Sequence, residues 1–104
     1  MSEAAVLKRV MLEASKMGLL LWRNNTGALK DHQGRLVRYG LCVGSSDLIG
    51  IYKGRFVAIE VKAPGKKPTE EQYKFMQAIV NNGGIAFWID DEKNLKSLLA
   101  PFLE

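Results

Sequence analysis

The residues best suited to chemistry are Asp47, Glu60 and Lys62. Phe56, Val57, Ala58 and Ile59 form an apolar run of the kind carried by a strand buried on both sheet faces. Glu60 and Lys62 then place opposite charges at its end. In a strand, two-residue spacing puts Glu60 and Lys62 on one face, while Val61 points to the other and leaves its carbonyl near the same edge. Lys53-Gly54 is the two-residue link of a tight hairpin between strand-like runs over 47–52 and 55–62. Pairing 52 with 55 sets 47 opposite 60, provided that no bulge intervenes, and makes Asp47 and Glu60 cross-strand neighbours.

Adjacent carboxylates repel unless a proton or cation lies between them, and a hard divalent metal such as Mg²⁺ takes oxygen ligands while keeping several waters. Asp47, Glu60 and the Val61 carbonyl are the candidate ligands. A lysine beside them offsets negative charge and can orient or help deprotonate a water attacking a phosphodiester. The chain has one histidine, His32, which excludes histidine-rich zinc sites and histidine-dependent metal nucleases. The plainer alternative is a surface ion pair of Glu60 and Lys62, with Asp47 capping a turn.

Positioning these groups requires a mixed sheet flanked by helices. Ser2 can cap a helix over 3–17, where Val6, Val10, Ala14 and Met17 recur at helical spacing and Gly18 ends the run. Leu19 to Trp22 reads as a short buried strand, and Arg23, Asn24, Asn25, Thr26 and Gly27 carry the turn chemistry that stops it. The segment 28–41 is either an irregular loop or a ragged hairpin. Thr69 and Gln72 form a capping-box signature for a helix over 70–81, closed by Gly83 and Gly84. Ile85 to Ile89 is a further apolar strand, and Asp90 or Asp91 can cap a last helix bearing Leu95, Leu98 and Leu99. Trp22, Phe87 and Trp88 lie in apolar strand runs and are expected in the core.

Two polar residues sit on apolar helical stripes and are predicted to face inward. Glu3 precedes Val6 and Val10 on the first, and Gln72 precedes Phe75, Met76 and Ile79 on the second. Either could be purely structural, since Glu3 suits a first helical turn and Gln72 can reach back to Thr69.

A chain of 104 residues with 47% hydrophobic content supports one modest core, so a single domain over 1–104 is expected. It carries no stretch able to span a bilayer and no signal-peptide pattern, which points to a soluble intracellular protein. One cysteine, Cys42, rules out an internal disulfide and suits a reducing compartment, where it reads as a small apolar residue. Fifteen Lys and Arg against eleven Asp and Glu leave a net charge of +4, compatible with a polyanionic partner.

Glu3, Gly44-Ser45-Ser46-Asp47, Glu60-Val61-Lys62 and Gln72, with the Arg23-Asn24 pair after the first strand, resemble the VRR-NUC (virus-type replication and repair nuclease) family across nearly the whole chain. That resemblance implies a PD-(D/E)XK restriction-endonuclease-like α/β fold with an αβββαβ core, and phosphodiester hydrolysis dependent on Mg²⁺ or Mn²⁺. Asp47, Glu60 and the Val61 carbonyl would hold metal, and Lys62 would serve the attacking water. Glu3 and Gln72 would support the metal and its waters. Ser46 departs from the proline that gives the superfamily its name. Small stand-alone members resemble Holliday-junction resolvases, which implies a homodimer acting on branched DNA in the cytoplasm of a bacterium or a phage-infected host.

Lys66 and Lys67 directly follow the catalytic strand, and Lys30, Arg35 and Arg38 form a second basic set. Both suit phosphate contacts, as do Arg23 and Asn24 by the family pattern. No small-molecule cofactor is expected. Other readings of the residues are a non-catalytic nucleic-acid-binding module of the same fold, a nuclease acting on linear DNA or RNA, and a scaffold with no polyanion partner.

Overall fold

Ser2 opens the first helix as its side chain allows, with its Oγ accepting the main-chain N–H of Ala5 at 3.1 Å. The helix, α1, runs Glu3–Lys16 in the computed structural model, which describes residues 1–24, 27–39 and 44–103. It ends where Gly18 takes φ +83°, a conformation that costs a residue without Cβ little. The strands are β1 (Leu20–Arg23), β2 (Gly27–Lys30), β3 (Leu36–Tyr39), β4 (Leu48–Tyr52), β5 (Arg55–Val61) and β6 (Ile85–Ile89). Helix α2 spans Glu70–Asn81, and a 3₁₀ turn capped by Asp91 leads into the short α3, Leu95–Leu99.

Four strands form one sheet in the order β1-β4-β5-β6. The first three are antiparallel to their neighbours, whereas β6 joins β5 in parallel after the α2 crossover. Lys53 and Gly54 both adopt positive φ, 49° and 81°, as a type I′ turn requires, and pair Tyr52 with Arg55. The ladder runs without a bulge to Leu48 opposite Ile59. Gly50 lets β1 lie close to β4, because a Cβ there would stand 1.9 Å from the Leu20 carbonyl oxygen.

Alternation along the strands divides the core in two. Leu48, Val57, Ile59, Val61, Ile85, Phe87 and Ile89 face α1 and α3, where they meet Val6, Val10, Leu95 and Leu99. Ala58 and Ala86 face α2 and pack on Met76, with Ile49, Phe75, Ile79 and Trp88 around them. Phe87 and Trp88 therefore lie where the sequence places them.

Trp22 does not, and Leu19 to Trp22 is not a buried strand. β1 is a sheet edge, Leu20 is exposed, and Trp22 keeps 44% of its surface accessible. Helix α2 covers the β5–β6 half of its face, leaving Leu20, Ile51 and Phe56, joined across the strands by register, open beside Trp22. The segment 28–41, for which the sequence allows a loop or a hairpin, contributes to a paired hairpin, β2–β3, as a separate two-stranded sheet. Cys42 and the Arg38 side chain lie outside the described residues. Among the described residues, no helix is long and apolar enough to cross a membrane.

Candidate active site

The end of β5 brings the charged residues together. Glu60 is 2% exposed, on the face that α2 covers, while Val61 on the opposite face is buried in the larger core. Continuing the β4–β5 register beyond Leu48 and Ile59 sets Asp47 opposite Glu60. Asp47 is held there by its own carboxylate, whose Oδ2 accepts the Val61 main-chain N–H at 2.8 Å.

Gln72 reaches the same point from α2. Its Oε1 accepts the Thr69 main-chain N–H at 2.8 Å, which completes the capping box and fixes the amide orientation. The Nε2 must then face the other way, and it donates to Glu60 Oε1 at 3.0 Å. One side chain thus caps a helix and orients a buried carboxylate, so the two readings of Gln72 are compatible. Replacing Gln72 by Ala removes both interactions and should cost about 1 to 2 kcal/mol of stability. Thermal melts beside Thr69→Ala check this, since Thr69→Ala loses half of the capping box and keeps the contact to Glu60. Equal losses in the two variants would mean that the Glu60 contact adds nothing.

Lys62 Nζ stands 3.9 Å from the same Oε1, with its side chain largely buried. Glu60 Oε1 therefore faces two donors, whereas Oε2 is buried with no hydrogen-bond partner among the described residues. Burial pushes the Glu60 carboxyl up to about 9. The Asp47 carboxylate beside it adds to the rise, Lys62 opposes it, and Glu3 adds a smaller push. An orphaned buried oxygen next to a second carboxylate is a site that a proton or a hard cation would satisfy. Asp47 and Glu60 are the side chains available to such a cation; among the described residues, no group of three or more His, Cys, Asp or Glu could hold a metal.

Glu3 is not inward-facing. Helix α1 packs on the Val61 face of the sheet, not on the Glu60 face, and Glu3 is exposed in its first turn. Its charge still reaches Glu60. Asn24 is bonded within the chain. Its Nδ2 donates to Ser45 Oγ and, at 3.0 Å, to the Ser46 carbonyl, while its main-chain N–H donates to the Asp47 carbonyl at 2.8 Å. Asn24 thus ties the end of β1 to the loop that delivers Asp47. This latch is not legible in the sequence, because the β1–β4 register depends on strands far apart in the chain.

The same loop is pressed against α2. A Cβ on Gly44 would lie 2.7 Å from the Glu71 carbonyl oxygen, and φ there is +83°, so both space and conformation call for glycine. Ser46 is buried, with its Oγ unpartnered among the described residues. Lys66 and Lys67 are exposed in the turn after β5, Arg23 is exposed at the end of β1, and Lys30 and Arg35 are exposed on the β2–β3 hairpin.

The family model of the VRR-NUC domain matches residues 1–90. No curated protein sequence matches the chain. The matched segment contains Asp47, Glu60, Lys62 and Gln72 and the strands β1 to β6, and the mixed α/β architecture is that of a PD-(D/E)XK-like nuclease domain. The chain belongs to the VRR-NUC family of nucleases.

Proposed function

We propose that the chain is an Mg²⁺- or Mn²⁺-dependent DNA endonuclease, specific for branched DNA of the four-way-junction type and acting inside the cell as a homodimer. Residues 1–104 form one nuclease domain in this reading, because Leu95 and Leu99, beyond the family match, share a core with Val6 and Val10. The observation that carries it is the Asp47 carboxylate beside Glu60, whose Oε2 is buried without a partner among the described residues while Lys62 stands 3.9 Å from Oε1.

Asp47, Glu60 and the Val61 carbonyl would hold the metal. When bound, it stabilises negative charge on the scissile phosphate and the leaving oxygen. Gln72 keeps Glu60 turned, the Val61 N–H keeps Asp47 turned, and both are set before substrate arrives. Lys62 orients the attacking water and helps take its proton. Glu3, exposed at the end of α1, supports waters at the rim of the site. Lys66, Lys67 and Arg23 contact phosphates flanking the cut. The open row of Leu20, Ile51 and Phe56 supports self-association, since contiguous exposed apolar surface marks contact sites.

The test is cleavage of a labelled four-way junction beside duplex, flap, single-stranded DNA and RNA, with Mg²⁺, Mn²⁺ or EDTA. Paired nicks at the junction that vanish in EDTA are expected, together with a light-scattering mass twice that of the 11.6 kDa chain. Ile51→Glu should return the mass to that of a monomer. Preference for linear DNA or RNA would leave the nuclease and sink the branched substrate; binding without cleavage of any substrate would make the chain a non-catalytic module.

A further inference from the structure

The β2–β3 hairpin is an arm rooted at the active site. Its two ends leave the fold at Asn24 and Gly44, and Asn24 is bonded to Ser45, Ser46 and Asp47 just beyond. Within the described residues the two strands pack mainly on each other, apart from the four-stranded sheet. The molecule is elongated, 50 × 33 × 24 Å, with a radius of gyration of 14.4 Å. A compact chain of this length would have about 13 Å.

An isolated two-stranded hairpin is marginal in water, so an arm of this kind calls for something to pack against. Its surface describes that partner. Leu29 pairs with Val37 in the ladder, which puts both on one face, and they are 65% and 48% exposed. Lys30, Arg35 and Arg38 against Asp31 leave the segment with net positive charge, complementary to a polyanion. The tip is ordered by Asp31, whose Oδ1 accepts the main-chain N–H groups of Gln33 and Arg35, each at 2.9 Å. Apolar side chains on a basic, ordered projection match the way proteins wedge between DNA bases while gripping the flanking phosphates.

We propose that the β2–β3 hairpin is a branch-recognition arm, in which the Leu29–Val37 face packs against bases left unstacked at a DNA branch and the basic side chains hold the adjoining backbone. This rests on the nuclease reading above and adds the element that selects the substrate. Recognition of this kind reads stacking defects rather than sequence.

The experiment compares the wild-type chain with Leu29→Thr/Val37→Thr, which keeps strand propensity but removes apolar surface, and with Leu29→Ile/Val37→Ile. A junction carrying 2-aminopurine beside the branch point is titrated in EDTA, so that the readout does not need cleavage. Wild type and the isoleucine variant are expected to raise the fluorescence at least about threefold, and the threonine variant to lose that rise. With metal, the ratio of branched to linear cleavage should fall at least about tenfold in the threonine variant. An unchanged signal and ratio would overturn the arm while leaving the nuclease standing. A fall from dimer to monomer mass in the threonine variant would overturn it too, by making a second copy the occupant of that face. If the wild-type chain neither binds nor cleaves any DNA, the nuclease reading fails first and the arm with it.

Discussion

Lys62→Ala should lower the rate of phosphodiester cleavage by a factor of about one hundred to ten thousand, the range set by removing a group that manages the attacking water. The substitution removes an ammonium that stands 3.9 Å from Glu60 Oε1 and leaves both carboxylates in place. Metal affinity should therefore be retained, as titration with Mn²⁺ at constant pH would check. Lys62→Arg keeps the charge but lacks the compact, readily shifted ammonium, so it should rescue binding better than turnover. A variant that cleaves within threefold of wild type would remove Lys62 from the chemistry and reduce it to an ion pair.

Glu60→Gln is expected to separate stability from activity. In the metal-free protein the carboxyl is pushed up to about 9 by burial and by Asp47, well above its ordinary value of 4.5. Between those values the folded state holds a proton that the unfolded chain releases. Stability is then complete below about pH 4.5 and is lost progressively as pH rises towards 9. Glutamine has no proton to lose and can still accept from Gln72. At pH 8 in EDTA, Glu60→Gln should exceed wild type by at least about 2 kcal/mol, roughly 8 to 16 °C in melting temperature for a domain of this size, against an upper bound of about 5 kcal/mol set by the interval from 4.5 to pH 8 at about 1.36 kcal/mol per unit. The advantage should shrink at pH 5, close to the ordinary value of 4.5, where the unfolded chain has scarcely begun to favour the ionised form. Cleavage should fall by a factor of about a thousand or more, because an anionic ligand has gone. Parallel pH profiles of the two proteins would mean that Glu60 is already ionised without metal.

These two substitutions probe one arrangement from opposite sides. The site combines a carboxylate with a buried oxygen unpartnered among the described residues, a second carboxylate fixed by a main-chain N–H, and an amide locked by a helix cap. Strain of this kind, a polar group buried without its partner, is the usual mark of a place reserved for a ligand or for catalysis.

Much of this was decided locally and could be read from the chain. Thr69 and Gln72 define the start of α2 because a capping box is a matter of three residues, and Gly18 ends α1 because φ there is positive. The placing of Asp47 beside Glu60 follows from counting outward from Lys53-Gly54, since a two-residue turn leaves one register, and the ladder holds it as far as Leu48 opposite Ile59. The neighbouring carboxylates, the lysine beside them and the elements that carry them are thus legible in the chain. Tertiary packing sets which faces those elements turn to each other. It placed α2 over half of one sheet face, which exposed Trp22 and gave Gln72 its second partner, and it set α1 on the opposite face, which left Glu3 in solvent. It also set β1 against β4, making Asn24 the latch of the Asp47 loop. Those outcomes depend on contacts between segments distant in the chain, where hydrophobic pattern shows that a face is buried but not what buries it.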